Sequence, residues 1–329
     1  MFQIQLDHHG SPDVLVGAVV PGPVLQAHEV RIRTEAAGVN FADVLVRRGT
    51  YPIALPLPAV PGYETAGVIT DVGADVGEAL VGRRVLALHP FHGGYRSHVV
   101  APAEGLVHVP DGVSSHAATA LGIQGLTAYS LLHRDGGLTA GQTVLVHSAA
   151  GGVGSLAVQL ATAAGARVIA LASADKHERA QQLGATVTID SRSPSWVDQV
   201  REHAPGGVDL VLDGVGGEGT ISGLGLLAAF GRLVYFGTAS GEQVQLDARA
   251  FGELQSKSAS IVGGNVLNHA LRDLPAAFAL VAELLDQVAS GTLAVDTTNA
   301  FPLTEDGARA AHQAIEDRRT TGKVALIAE

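Results

Sequence analysis

The sequence predicts an α/β protein in which a doubly wound domain with a parallel sheet is set into a β-rich, antiparallel, barrel-like domain. Three observations predict it. Strand-like and helix-like segments alternate in register between residues 143 and 236. Short strands broken by Gly and Pro fill the chain before about residue 118, and β-rich character resumes near 259. Between them a strand runs straight into a knot of small residues, VLVHSAAGGVGSLA (144–157), that opens a helix. A chain of 329 residues is also long for one ordinary core, so two domains are expected.

The elements follow in order. HEVRIRTEAAG (28–38) alternates Val30, Ile32 and Thr34 as a half-buried strand does. NFADVLVRRG (40–49) is a short helix closed by Gly49. YPIALPLPAVPGYE (51–64) carries Pro52, Pro56, Pro58 and Pro61 and reads as an extended loop. AGVITDVG and GRRVLALHP read as further strands, and TALGIQGLTAYSLLH (119–133) as a helix leading into the second domain. Strands at 143–147, 167–172, 186–190, 208–212 and 231–236 then alternate with helices at 153–164, 175–183, 195–203 and 218–229. That order implies right-handed βαβ units and a parallel sheet. Helices at 272–290 and 304–319 and a last strand, KVALIA, complete the chain. The first domain is therefore expected to comprise 1–118 and 259–329, and the second 119–258.

Composition narrows the partners. Hydrophobic residues make up 47% and charged residues 16%, a globular balance. A net charge of −11 argues against nucleic acid. The absence of cysteine excludes disulfides, thiolate metal sites and cysteine nucleophiles. The start MFQIQLDHHG has no basic, then apolar, leader pattern, and no run of about 20 residues is apolar enough for a membrane span. A cytoplasmic protein is expected.

The glycine turn carries the chemistry. It follows a strand and opens a helix, the setting in which such a turn binds a dinucleotide. Gly151 lets the backbone approach a pyrophosphate, Gly154 lets the helix pack closely on the strand, and free N–H groups of the first helical turn face the anion. The first glycine of the usual G-x-G-x-x-G pattern is Ala149 here, so the turn gains its meaning from the βα units that follow. Helix 153–164 places Val153, Leu156, Ala157, Leu160 and Ala161 on one face, and Gly165 stops it. An NAD site wants an acid at the tip of the second strand for the ribose hydroxyl. Here the tip reads LASADK (171–176), with Ala172–Ser173 at its end and Asp175 placed to cap the next helix. Ser173 and Lys176 suit a 2′-phosphate instead, which favours NADPH.

Other chemistries fail on residue pattern. There is no G-x-S-x-G elbow, since GTASG (237–241) has its serine one place late, and no Walker A loop. Asp209 and Asp213 flank a strand and read as loop and cap residues rather than a carboxylate dyad.

The stretches AAGVNFADVLVRRGTYP (36–52), PGYETAGVI (61–69), GGYRSHVV (93–100), QGLTAYSLL (124–132), HSAAGGVGSLAVQLA (147–161), VDLVLDGVGG (208–217) and FGRLVYFG (230–237) resemble, in order and along essentially the whole chain, the zinc-free medium-chain dehydrogenase/reductases, close to the zeta-crystallin-like NADPH:quinone oxidoreductases. The resemblance implies a GroES-like β domain and a Rossmann domain with the nicotinamide in the cleft between them. It implies that Asn40 and Tyr51 border the nicotinamide and substrate space, and that Thr127 contacts the nicotinamide side. Ser148, Gly151, Gly152, Val153 and Gly154 would wrap the pyrophosphate, and Ser173 and Lys176 would take the 2′-phosphate. Phe236 and Gly237 would flank the nicotinamide ribose, and Arg318 would reach the cofactor. Two positions depart from the pattern. A tyrosine that helps with the 2′-phosphate falls at Ser191, where Arg192 is the substitute, and a second active-site tyrosine falls at Leu45.

The zinc relatives use a cysteine and the His of a Gly-His-Glu triplet; this chain has no cysteine and reads Gly62–Tyr63–Glu64. His89, His92 and His98 in HPFHGGYRSH are the remaining ligand candidates, but they straddle a Pro- and Gly-rich loop without an evident carboxylate, and no metal is expected. Without a metal, hydrogen bonds alone must polarise the acceptor. That suits quinones and α,β-unsaturated carbonyls, with the developing oxyanion stabilised by Tyr51 or Asn40 and the proton coming from Tyr51 or water. Two other functions fit the same turn: an enoyl reductase acting on thioester-bound acyl groups, and an NADPH-binding structural or RNA-associated protein with little turnover. GRLVYFG and SASIVGGN are expected to pair across a two-fold axis, giving a homodimer.

Overall fold

The computed structural model describes residues 1–53 and 55–328. Ala54, in the expected extended loop, and Glu329, in the expected first domain, lie outside the described residues. The chain forms two compact units, Met1–Leu126 with Ala270–Glu329, and Thr127–His269. No helix among the described residues is long and apolar enough to cross a membrane.

The first unit is built on a seven-stranded sheet in the order Asn299–Pro302, Val324–Ile327, Glu29–Val39, Glu64–Val72, Arg84–Leu88 and Leu106–His108, with His98–Pro102 also paired to Glu29–Val39. All its pairs are antiparallel except the one between Asn299–Pro302 and Val324–Ile327. The last strand binds Glu29–Val39, which is how the two ends of the chain come to share one sheet. The inward alternation holds: Val30, Ile32 and Thr34 are fully buried. The two aliphatic ones pack with Ile69, Val85, Val99 and Ala101. Helix Phe41–Arg48 starts at a reciprocal cap, in which Asn40 and Asp43 each satisfy the other's backbone, and ends at Gly49 in the left-handed region, φ 73°.

The second unit carries a six-stranded, wholly parallel sheet. Its order is Val187–Asp190, Arg167–Ala172, Thr143–Val146, Val208–Asp213, Leu227–Tyr235 and Ser260–Gly263. Numbered along the chain this is 3-2-1-4-5-6, the doubly wound dinucleotide-binding order. The order reverses between Thr143–Val146 and Val208–Asp213, and the carboxyl ends of those two strands form the crevice where such sheets bind ligands. The central strands carry apolar runs, VLV at 144–146 and VIALA at 168–172, because a sheet covered by helices buries both faces. Leu145, Ile169, Val211 and Leu233 are fully buried in it.

Four details differ from the sequence reading. The helix expected at 218–229 ends at Leu226. Leu227 pairs with Val208 and Phe230 takes φ 64°, after which the ladder resumes at Leu210 and Arg232. The run LGLLAAFG has no polar period to separate helix from strand, so the pairing decides. Strand Ser260–Gly263, expected beyond the domain boundary, hydrogen bonds to Leu227–Tyr235 and closes the parallel sheet. It is therefore the edge, and GRLVYFG is an inner strand flanked on both sides. Lastly, the helix expected at 119–133 is a helical stretch interrupted by widened π turns at Leu121–Gly125 and Ser130–Asp135.

Candidate active site

The turn after Thr143–Val146 is held by contacts too close for any residue but glycine. The Gly151 N–H bonds the Ser148 carbonyl at 2.8 Å, and Ser148 takes φ 51° to make that turn. A Cβ on Gly154 would lie 2.2 Å from the Ser148 oxygen and 2.8 Å from the Ala149 Cα, so helix Gly152–Ala163 packs on the strand end only because Gly154 has no side chain. On Gly151 a Cβ would lie 3.2 Å from that same oxygen and near little else, so this backbone is open to an incoming group. Leu156, Ala157, Leu160 and Ala161 are buried as expected, while Val153, at the helix mouth, is only half-buried. The first-turn N–H groups of such a helix have no partner within it and present partial positive charge.

The tip of the second strand gathers Ser173, Lys176 and Arg192. Ser191 bonds the Ala172 carbonyl at 3.0 Å, so the end of strand Val187–Asp190 carries Arg192 to the neighbouring tip. Burial lowers the pKa of Lys176, the Asp175 carboxylate opposes this, and the Arg192 charge adds to it. Ser173 bonds the Asp175 side chain, which lowers the pKa of that exposed carboxyl. Farther along the crevice, Phe236 donates its N–H to the Asp213 carbonyl at 2.9 Å. Gly214 lies under its ring, and Gly237 lies against the Gly214 backbone, where its Cβ would meet an oxygen at 2.7 Å.

His147 and Asp213 end the two strands on either side of the reversal, and sequence reasoning gave neither a site role. His147 Nδ1 lies 3.3 Å from the Asp213 carboxylate. That carboxylate also accepts Val215 N–H at 2.8 Å, Gly216 N–H at 3.1 Å and the Thr220 hydroxyl. Burial alone would raise the Asp213 pKa, but these bonds, His147 foremost, hold it at about 2. Asp213 thus pins the GVGG loop (214–217) to the strand that precedes the glycine turn. Two polar residues at adjacent carboxyl ends were the available signal. Asp209 bonds Thr143 N–H at 2.7 Å, so the two aspartates are separate loop anchors and not a dyad.

The first unit holds a buried polar cluster around the helix that starts after Asn40. The Asn40 amide donates to Glu64 at 2.8 Å and its oxygen accepts from Lys323 at 3.1 Å, and Lys323 also pairs with Glu64 at 2.5 Å. Asp43 accepts the Asn40 N–H at 2.8 Å and the Gly62 N–H at 2.9 Å. Its complete burial outweighs those bonds and, with the nearby Glu64 charge, pushes its pKa up to about 7. Gly62, at φ 100°, aims Tyr63 against the His92 ring at 4.0 Å, and the Tyr51 ring stands edge-on to Tyr63 at 6.4 Å. Tyr51 is half-buried, and Leu45, on the helix just before it, is also half-buried. Of these polar groups the sequence analysis named Asn40 and Tyr51; Asp43, Tyr63, Glu64 and Lys323 lie within or beside its motifs but were given no role.

The three histidines weighed as ligands are committed elsewhere. His89 faces the Thr65 hydroxyl at 3.1 Å, His92 lies on Tyr63, and His98 faces the Ser97 hydroxyl at 3.3 Å. Burial brings the pKa of His89 and of His92 down to about 4. No group of three potential ligands forms a metal site among the described residues. Thr127 is almost fully buried, and Arg318 is exposed just past helix Glu305–Glu316 at φ 57°.

Residues 26–111 match the family described as "Alcohol dehydrogenase GroES-like domain", and residues 152–283 match that described as "Zinc-binding dehydrogenase". The quinone oxidoreductase of Salmonella typhimurium is 34% identical over 330 residues, covering 99% of each chain. The chain belongs to the medium-chain dehydrogenase/reductase family. A crystal structure of Escherichia coli quinone oxidoreductase complexed with NADPH superposes with a TM-score of 0.90 at 30% identity, over 99% of this chain and all of that one. The human synaptic vesicle membrane protein VAT-1 homolog is 39% identical over 221 residues, 67% of this chain and 55% of that protein. The chain thus spans about half the length of such curated relatives. Within this family the chain keeps the GroES-like and Rossmann architecture. It lacks the cysteine and the histidine of the Gly-His-Glu triplet that its zinc-dependent members use.

Proposed function

We propose that this chain is a zinc-independent, NADPH-dependent oxidoreductase that passes hydride to quinones or α,β-unsaturated carbonyls. The observation that carries the reading is the glycine turn at the strand-order reversal, where Gly154 is forced by a 2.2 Å approach and Gly151 leaves the backbone open. That cradle fits a dinucleotide diphosphate, and a serine with two cations at the second strand tip fits a 2′-phosphate. Ser148, Gly151, Gly152, Val153 and Gly154 hold the diphosphate; Ser173, Lys176 and Arg192 hold the 2′-phosphate; Phe236 and Gly237 flank the ribose. Thr127 and Arg318 complete the proposed cofactor set. When bound, NADPH supplies the hydride.

Tyr51 and Asn40 are the proposed acceptor-side residues. Asn40 has spent its amide oxygen on Lys323 and one N–H on Glu64, so it has one donor left. Tyr51 is the proton donor to the oxyanion that forms as hydride arrives. A phenol and an amide are weak polarisers beside a metal, so the acceptor must be activated by its own conjugation.

The proposal includes a cytoplasmic address, a small-molecule substrate, no nucleic acid and no membrane partner. A net charge of −11 disfavours a phosphate backbone. It also includes a homodimer formed through the edge strand Ser260–Gly263, with Phe230 and Phe251 exposed on the same unit.

Stopped-flow loss of NADPH absorbance with 1,4-benzoquinone, an alkenone and crotonyl-CoA tests the reading. Turnover with the first two supports it. Turnover with crotonyl-CoA alone transfers the chain to thioester enoyl reduction, and tight NADPH binding without turnover makes it a binding protein.

A further inference from the structure

We propose that Tyr63 is a positioning residue for Tyr51: its buried hydroxyl donates a hydrogen bond to the Tyr51 oxygen as that oxygen gives up its proton. This rests on the reading of Tyr51 as proton donor. Tyr63 is 2% exposed, and its hydroxyl has no hydrogen-bond partner among the described residues. A buried hydroxyl without a partner is costly, and native chains rarely keep one that is not used. The group that acts on it is the Tyr51 side chain, the two rings standing edge-on with centroids 6.4 Å apart.

The surroundings keep the Tyr63 hydroxyl a donor. Burial first, then Tyr51, then the Asp43 charge keep Tyr63 protonated far above the usual phenol range. On its other side lies His92, which burial keeps neutral, with its Nδ1 3.9 Å from Asp43. Glu64, next in sequence, is paired with Lys323, so that ammonium is spent on a carboxylate rather than on Tyr63. Tyr63 therefore stays protonated and is a standing donor beside the half-buried Tyr51. The bond from Gly62 N–H to the Asp43 carboxylate fixes where Tyr63 begins, so its ring is held before any acceptor arrives.

The step balances. Hydride adds to the conjugated acceptor and an electron pair moves to its carbonyl oxygen. The Tyr51 O–H bond breaks as a new O–H bond forms on that oxygen. The Tyr51 phenolate accepts the Tyr63 O–H hydrogen bond, and water returns the proton to Tyr51.

The test compares Tyr63→Phe, Tyr51→Phe and the unaltered protein with NADPH and 1,4-benzoquinone across pH. Tyr63→Phe keeps the ring on His92 and removes only the hydroxyl. It is expected to lower kcat about tenfold or more, since a bond to a charged oxygen is lost. It should leave NADPH affinity within about twofold, on the same bond-loss argument, and move the alkaline limb of kcat to higher pH. A Tyr63→Phe enzyme with unchanged kcat, or with a loss confined to KM or lacking the pH shift, overturns the inference. If Tyr51→Phe alone lowers kcat, the reading of Tyr51 survives that failure; if Tyr51→Phe has full activity, both fall.

Discussion

Gly154 lies so close under Ser148 that a Cβ on it would stand 2.2 Å from the Ser148 carbonyl oxygen. The helix mouth and the strand end are thus one rigid object, and the proposed diphosphate seat is part of it. Gly154→Val should push them apart, cost about 1–3 kcal/mol of stability by overpacking, and abolish NADPH binding by fluorescence titration. Normal affinity in a folded variant contradicts the seat.

Lys176 and Arg192 face the same strand tip, where each adds to the other's positive field. Lys176→Ala and Arg192→Ala should weaken NADPH roughly tenfold to a hundredfold each, the worth of a hydrogen bond to a charged group. NADH, lacking the 2′-phosphate, should change little. Equal losses for the two nucleotides, measured by calorimetry, remove the phosphate role.

Tyr51→Phe should reduce turnover of a quinone on the order of a hundredfold, as removal of a proton donor or oxyanion donor does, with NADPH affinity unchanged. Steady-state kinetics at saturating NADPH reads this directly. Wild-type kcat assigns the proton to water.

Asp43 and Asp213 bend stability with pH in opposite ways. Asp43 is raised to about 7 from an unfolded value near 3.8, so the folded chain binds its proton more tightly. Its contribution is fully present at low pH and is lost as pH rises from about 4 through 7. Asp213 is held at about 2, so its contribution is present above about 4 and disappears as pH falls toward 2. Thermal melts should show Asp43→Asn flattening the decline between pH 5 and 8. Asp213→Asn should destabilise at neutral pH and lose its effect near pH 2. Parallel melting curves for variant and parent across these windows contradict the assignments.

The fold was legible where periodicity is strong. The alternation of Val30, Ile32 and Thr34 and the βα rhythm from 143 onward each have one physical reading, and both units show them. It was not legible at LGLLAAFG, where helix and strand share an apolar pattern and only the pairing of Leu227 with Val208 separates them. The glycine turn was readable because Gly154 answers to a local steric demand. The His147–Asp213 tie and the Asn40–Glu64–Lys323 cluster were not. Their members are distant in sequence, and only the folded sheets bring them together.

Strand Ser260–Gly263 offers an unpaired edge on the parallel sheet. Sedimentation velocity is expected to give a dimer, and a Pro within that strand, as in Ile261→Pro, to shift it toward monomer. A monomeric parent protein contradicts the dimer.

The central claim is that the glycine turn and the Ser173–Lys176–Arg192 tip together hold NADPH. Calorimetric titration of the chelator-treated protein with NADPH, and separately with NADH, tests it most directly. The account predicts one site per chain and NADPH bound at least about tenfold more tightly, one charged hydrogen bond's worth. Failure of either nucleotide to bind, or binding that depends on stoichiometric zinc, would contradict it.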